Sequence, residues 1–343
     1  MLQEVFAVLA ILGMVVGSGF ISGKEVVVFF SRFGAWSFLS IPLVFVIFLC
    51  AFRFILNKAG GILEMVQKSK VLTLINLLLC TIFSAAMFGG INNLLSFGEK
   101  WINFAVFFLI LLICALIFKK GGKFFNKLNI MLVPIMIFVF VVLLFSKIEM
   151  PKSFSSSHGV VSIFYACLYC LLNLANGCVV LAEVGKNLNK KQKARVAFIS
   201  ALVLCVVLLL TNIVLLAHPA ALDEEMPVLS IFSSGGSAVV ALVVFIGCLT
   251  TLFSIVYSCS SLVRGMIKNE HLNFTISIIL PLVLSVWGFS NIVQHLYPLA
   301  SVMGGVLLVR LFFVFPLKRS DKQIHASCKN AKKKNACHHD VEF

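Results

Sequence analysis

The sequence predicts an all-α polytopic membrane protein of about ten transmembrane helices. Three observations carry this expectation. The 343 residues are 61% hydrophobic and only 12% charged, with a mean hydropathy of +1.08. Soluble domains carry about 45–50% apolar and about 25% charged residues. The apolar stretches far exceed the roughly 10 residues of a membrane barrel strand, and they reach the roughly 20 that a helix needs to cross about 30 Å of hydrocarbon. The 28 Lys and Arg outnumber the 13 Asp and Glu and cluster in alternate loops, the bias expected of cytoplasmic loops. An ordinary soluble enzyme and a disordered chain are both excluded by this composition.

In chain order the segments are roughly 4–33, 36–56, 71–96, 101–118, 124–146, 159–183, 193–217, 236–263, 272–289 and 291–316. The first carries only Glu4 as a charge before Lys24. It lacks the positive start of a secretory signal and is expected to stay in the mature chain. The next four are separated by the basic loops 53–70 and 119–127, and on the other side by Lys100, Lys147 and Lys152. The sixth and seventh flank the basic loop 186–195. The eighth lies between the acidic run Asp223-Glu224-Glu225 and the basic loop 264–268. The last two form one uncharged run, Leu272 to Val309, too long for a single span at 1.5 Å per residue. It divides at the turn-forming cluster Gly288-Phe289-Ser290-Asn291. With the N-terminus in the cytoplasm, most basic residues fall inside and the acidic run falls outside. An even number of spans then puts both termini in the cytoplasm of a multi-pass cell-membrane protein. Arg310 snorkels from the inner end of the last span.

Nine of the 11 Cys, from Cys50 to Cys259, lie in apolar stretches and read as small packing side chains rather than a disulfide framework. The same holds for the Cys167/Cys170 pair. Cys337-His338-His339 lies in a polar tail with no second ligand pair, so no metal site is expected. The basic tail, Lys332-Lys333-Lys334 included, suits solvent or anionic lipid. Nucleic acid is not an expected partner; the bilayer and a small-molecule ligand are.

Ten spans divide into two fives, residues 1–150 and 151–316, with a basic cytoplasmic tail at 317–343. An odd number per half inverts the second relative to the first, a plan common among secondary transporters. The first span of each half shares a feature. One carries Gly17-Ser18-Gly19-Phe20 and then Gly23-Lys24-Glu25; the other carries Asn173-Leu174-Ala175-Asn176-Gly177 and then Glu183. Helices broken there would leave N–H and C=O groups that hydrocarbon tolerates only around a cavity or a ligand. The free amides attract a carboxylate and the free carbonyls a cation. Gly13/Gly17 and Gly19/Gly23 are equally GxxxG pairs, which mark close helix packing.

The stretch Gly17-Ser18-Gly19-Phe20-Ile21-Ser22-Gly23-Lys24-Glu25, with Phe29-Phe30 and Arg32-Phe33-Gly34, resembles the first span of the YkvI-type bacterial membrane proteins, whose pattern is like VGAGFATGQE followed by FF-x-RFG. Lys24 stands where that pattern has Gln. Glu225-Met226-Pro227 is also similar to that family and to its wider relatives, the LeuT-fold transporters of the amino acid–polyamine–cation superfamily. The resemblance implies a LeuT-like 5+5 inverted repeat with helices 1 and 6 broken. It also implies ion-coupled transport of an amino acid or related zwitterion by alternating access. A ligand-sensing receptor of the germinant-receptor kind, on the same fold without net transport, is the alternative.

The resemblance further implies that the amides around Ser18, Gly19 and Phe20, with Gly17, hold the substrate carboxylate. It implies Na⁺ (or H⁺) as coupling ion, with Thr250, Thr251 and Ser254 of the eighth span as Na⁺ ligands. Ser and Thr equally bond their own helix carbonyls. Tyr169 and Asn173, spaced i, i+4, are expected to face the substrate with Asn176 and Gly177, and Phe20, Tyr165 and Tyr169 to cover it. Glu25 and Glu183 are candidate intramembrane acids, with interfacial pairing as the alternative. Ser84 and Met87 of the third span lie near mid-depth. Asn291, Gln294 and His295 belong to a candidate outer gate. No Asp lies in any span, and His295 is the one intramembrane His, which argues against an enzyme.

Overall fold

The computed structural model describes residues 2–60, 62, 69–95, 100–120, 123–150, 159–233, 235–266 and 269–311. The expected tail 317–343, with Cys328, Cys337 and its lysines, lies outside the described residues, as do Lys68, Lys152 and Lys268. Among the described residues the secondary structure is helical throughout.

The chain opens with three short helices, α1 (Leu2–Val15), α2 (Ser18–Ile21) and α3 (Lys24–Phe29), and a 3₁₀ turn over Ser31–Phe33. Five long helices follow: α4 (Trp36–Asn57), α5 (Lys70–Leu95), α6 (Lys100–Lys120), α7 (Lys123–Phe145) and α8 (Gly159–Lys186). Next come α9 (Lys190–Ala217), the short α10 (Pro227–Ile231) and α11 (Ser237–Met266). The end is built from α12 (Glu270–Phe274), a π stretch Thr275–Ile279, α13 (Leu280–Ser285), α14 (Phe289–Asn291), a π stretch Ile292–Leu296 and α15 (Tyr297–Val309). Among the described residues seven helical stretches are long and apolar enough to cross a membrane, and three shorter apolar ones accompany them. The chain is an all-α, multi-pass membrane protein.

Local signals account for several boundaries. Asn189 accepts the Gln192 amide while the Gln192 side chain accepts the Asn189 amide, a capping box that starts α9. Gly288, at φ 92°, turns the chain between α13 and α14, where the long uncharged run was expected to divide. A left-handed backbone there favours glycine.

The outer surface is apolar. On α6, Trp101, Phe104, Phe108, Leu112 and Leu116 are all exposed at helical spacing and form one continuous stripe. Water would reject such a face, and lipid tails accept it. Inside, α5 packs along α11, and α8 lies between α4 and α15. The first span sits at the centre, with α1 against α7, α8 and α9. Every residue of α2 and α3 is buried.

The polar groups separate to two ends. At one, Glu4 pairs with Arg195 at 2.6 Å, so the N-terminus and the start of α9 share a side. At the other, Lys24 Nζ donates to the Glu224 carbonyl at 2.8 Å, the Asn93 amide donates to the Glu225 carboxylate, and Lys147 lies 5.5 Å from the Phe232 ring centre.

Candidate functional site

The expected interruption of the first span is present. The α1 helix ends at Val15, Gly17 is extended (φ −91°, ψ −173°), and α2 restarts at Ser18. Val16 N–H still bonds Leu12 O and Gly17 N–H turns back to Val15 O. None of the described backbone bonds uses the amides of Ser18, Gly19 or Phe20. A second kink follows at Gly23, left-handed at φ 84°, where Val228 N–H bonds Ser22 O at 2.9 Å and fastens α10 over the span.

The expected interruption of the sixth span is absent. The α8 helix runs unbroken from Gly159 to Lys186, through Asn173 and Asn176. The residues that suggested a break serve other purposes. Asn173 Nδ2 bonds the Tyr169 carbonyl within the helix, so the amide is satisfied without unwinding. Gly177 is a packing glycine: the Met14 thioether of α1 fills the space a side chain there would need. Asn176 is half-buried on the same helix. LeuT-like paired breaks are therefore reduced to one.

Around the Gly17 break the neighbours are specific. Ser18 Oγ donates to Met87 Sδ of α5 at 2.7 Å. Thr251 Oγ1 of α11 lies 3.5 Å from the position of a Cβ at Gly17, in ordinary contact. On α11 the expected ion set divides between two faces of the helix. Thr250 Oγ1 donates to Gly247 O at 3.2 Å and Ser254 Oγ to Thr250 O at 3.0 Å, both within α11. Helical geometry explains the split: residues i and i+4 share a face, and Thr251 lies about 100° round from Thr250. Phe20 is fully buried against Phe140, ring centres 6.3 Å apart.

The carboxyl group at the centre is Glu25. Its residue is 5% exposed, and the carboxylate occupies the space a Gly19 side chain would need. Lys24, adjacent in sequence, turns the other way to the Glu224 carbonyl. Two phenols are close enough to Glu25 to interact electrostatically, Tyr169 of α8 and Tyr297 of α15. Tyr169 is packed by Phe29, Phe30 and Phe48 at 5.1–6.0 Å. Tyr297 packs on Phe83 at 5.0 Å, and its hydroxyl is buried with no hydrogen-bond partner among the described residues. Ser84 Oγ of α5 is buried in the same condition.

Tyr297 was missed by sequence reasoning. The available signal was that it is one of four Tyr in the chain and a hydroxyl inside an uncharged run. Other expected residues stand apart from the centre. Glu183 is exposed near the end of α8. His295 is exposed and stacks on Trp287 at 5.9 Å, with Gln294 and Asn291 also exposed. Tyr165 carries the Arg32 guanidinium 4.1 Å over its ring and packs on Phe29 with ring centres 6.1 Å apart. At the Lys24 end, Asn93, Glu224, Glu225, Met226, Leu229 and Ser230 line an open cleft of about 250 Å³. Among the described residues no group of His, Cys, Asp and Glu is arranged to hold a metal ion.

No family model matches the chain, and no curated protein matches it.

Proposed function

We propose that this protein is a secondary carrier in the cell membrane that moves a small zwitterion, such as an amino acid, by ion-coupled alternating access. The carrying observation is the interruption of the first span at Gly17, buried at the centre of the bundle, with no described backbone bond to the amides of Ser18, Gly19 and Phe20. Such amides suit a carboxylate, because a helix N-terminus carries partial positive charge. The seven long and three short apolar helical stretches support ten spans, five before residue 150 and five after it. The two polar ends support a topology with both termini on the cytoplasmic side and the Glu224 loop outside. The likeness of the Gly17–Glu25 stretch to YkvI-type and LeuT-fold proteins supports the same reading.

The unbroken α8 favours a second reading, a ligand-sensing receptor on this fold. A single hinge can order around a ligand without completing a transport cycle. Purified chain reconstituted into liposomes and given labelled amino acids decides between them. Accumulation or exchange supports the carrier. A ligand-dependent rise in melting temperature with no flux supports the receptor.

A further inference from the structure

Glu25 is the one carboxylate buried in the span core among the described residues, and no described cation pairs with it. A buried ionised carboxylate is costly unless paired or hydrogen-bonded. No hydrogen bond or ion pair reaches it among the described residues. The elements packed against α3 are α2, α8, α9, the 3₁₀ turn and the 292–296 stretch. The ionisable groups on them are accounted for. From α8 comes Tyr169, with Cys170 of α8 and Cys205 of α9 beside that phenol, while Asn212 of α9 is spent on Ser31 and Ser37. His295 stacks on Trp287. The neighbouring cations are committed elsewhere, Lys24 to the Glu224 carbonyl and Arg32 to the Tyr165 ring. Just beyond the 292–296 stretch, Tyr297 brings a buried hydroxyl that lacks a partner.

A cation must therefore visit this carboxylate or a proton must sit on it. Hard cations gather several oxygens, and among the described residues no second carboxylate is buried with Glu25. A proton needs only the one carboxylate. Resting on the carrier reading above, we propose that Glu25 is the proton-binding group that couples transport to the proton gradient, with the Tyr297 hydroxyl as its hydrogen-bond partner while ionised. The placement suits coupling. The carboxylate lies over Gly19, so taking up or losing a proton alters the group packed directly on the substrate amides.

Two measurements on the full chain in liposomes test this. Dicyclohexylcarbodiimide adds to protonated carboxyl groups in apolar surroundings and needs no substrate. Mass spectrometry is expected to find Glu25 modified, at a rate that falls about tenfold per pH unit once its proton leaves. Tyr297→Phe is expected to move that pH midpoint. Absence of modification at every pH, or modification indifferent to pH, overturns the proposal; an unmoved midpoint in Tyr297→Phe removes the phenol from it. In the second measurement the probe is a mixture of the twenty standard labelled L-amino acids. Wild type is expected to accumulate label under an inward proton gradient without Na⁺. In Glu25→Gln, gradient-driven accumulation is lost while exchange without a gradient persists at a reduced rate, which also shows that the variant is folded. Wild-type exchange that ignores the proton gradient overturns the coupling role alone. No exchange in wild type overturns the carrier reading and the coupling role with it.

Discussion

Gly17 and Gly19 are two residues apart and have different reasons to be glycine. A Cβ at Gly17 meets Thr251 at 3.5 Å, an ordinary contact. A Cβ at Gly19 takes the place of the Glu25 carboxylate. Gly17→Ala is therefore expected to leave the melting temperature and transport close to wild type. Gly19→Leu should remain membrane-inserted and lose transport; normal transport by a folded Gly19→Leu protein would count against the site. Gly177 and Met14 make a second testable pair. Overpacking a tight site costs about 1–3 kcal/mol, so Gly177→Ala should lower the melting temperature. Adding Met14→Ala should recover part of the loss, a coupling that a double-mutant cycle measures. Among the α11 hydroxyls, Thr250→Val and Ser254→Ala each remove a bond to a carbonyl of the same helix and are expected to cost about 1 kcal/mol. Thr251→Val is expected to alter transport with little change in stability. These residue roles were partly legible in advance. The Gly17–Phe20 interruption was, because helix-breaking residues in a membrane segment are rare and informative. The role of Gly177 was not, because glycine marks both breaks and close packing, and only the position of Met14 tells them apart.

At the scale of elements, the first span is three helical pieces held by one external strap. Val228 N–H on Ser22 O and Lys24 Nζ on Glu224 O tie α10 and the preceding loop to the Gly23 kink. Opening this strap is one way for the outer end to admit a solute. Lys24→Met removes one of the two ties, and amide hydrogen exchange over residues 219–231 is expected to quicken while α8 and α9 stay protected. The unbroken α8 is the largest departure from the expected plan. Its Asn-rich sequence looked like a break because amides compete with the helix backbone. Here Asn173 bonds its own helix at the i−4 carbonyl, a choice that hydropathy and spacing do not encode. The π stretches at Thr275–Ile279 and Ile292–Leu296 were equally silent in the sequence. Wide turns of this kind arise from local packing and often mark functional segments.

For the whole molecule, the strongest expectation is sidedness. Introduced one at a time into a chain whose 11 native cysteines are replaced, Asp223→Cys is expected to react with an impermeant maleimide from outside sealed cells and Lys193→Cys only after permeabilisation. Reaction of both from one face would reject the topology. Composition alone determined that the chain is a bundle of helices in lipid, because apolar runs of this length have no other stable home and backbone groups in hydrocarbon must bond within their own segment. It also determined where the loops fall and where the uncharged run divides, since both are local matters of charge and turn chemistry. Tertiary structure decided what the polar residues inside the bundle do. Glu25 and Lys24 are neighbours in sequence and point to different worlds, one to the core over Gly19 and one to the acidic loop. Tyr297, in the last span, directly follows the 292–296 stretch that packs on the helix carrying Glu25. Sequence periodicity assigns a residue to a face, but the partner on that face comes from another helix many residues away, and only packing brings the two together.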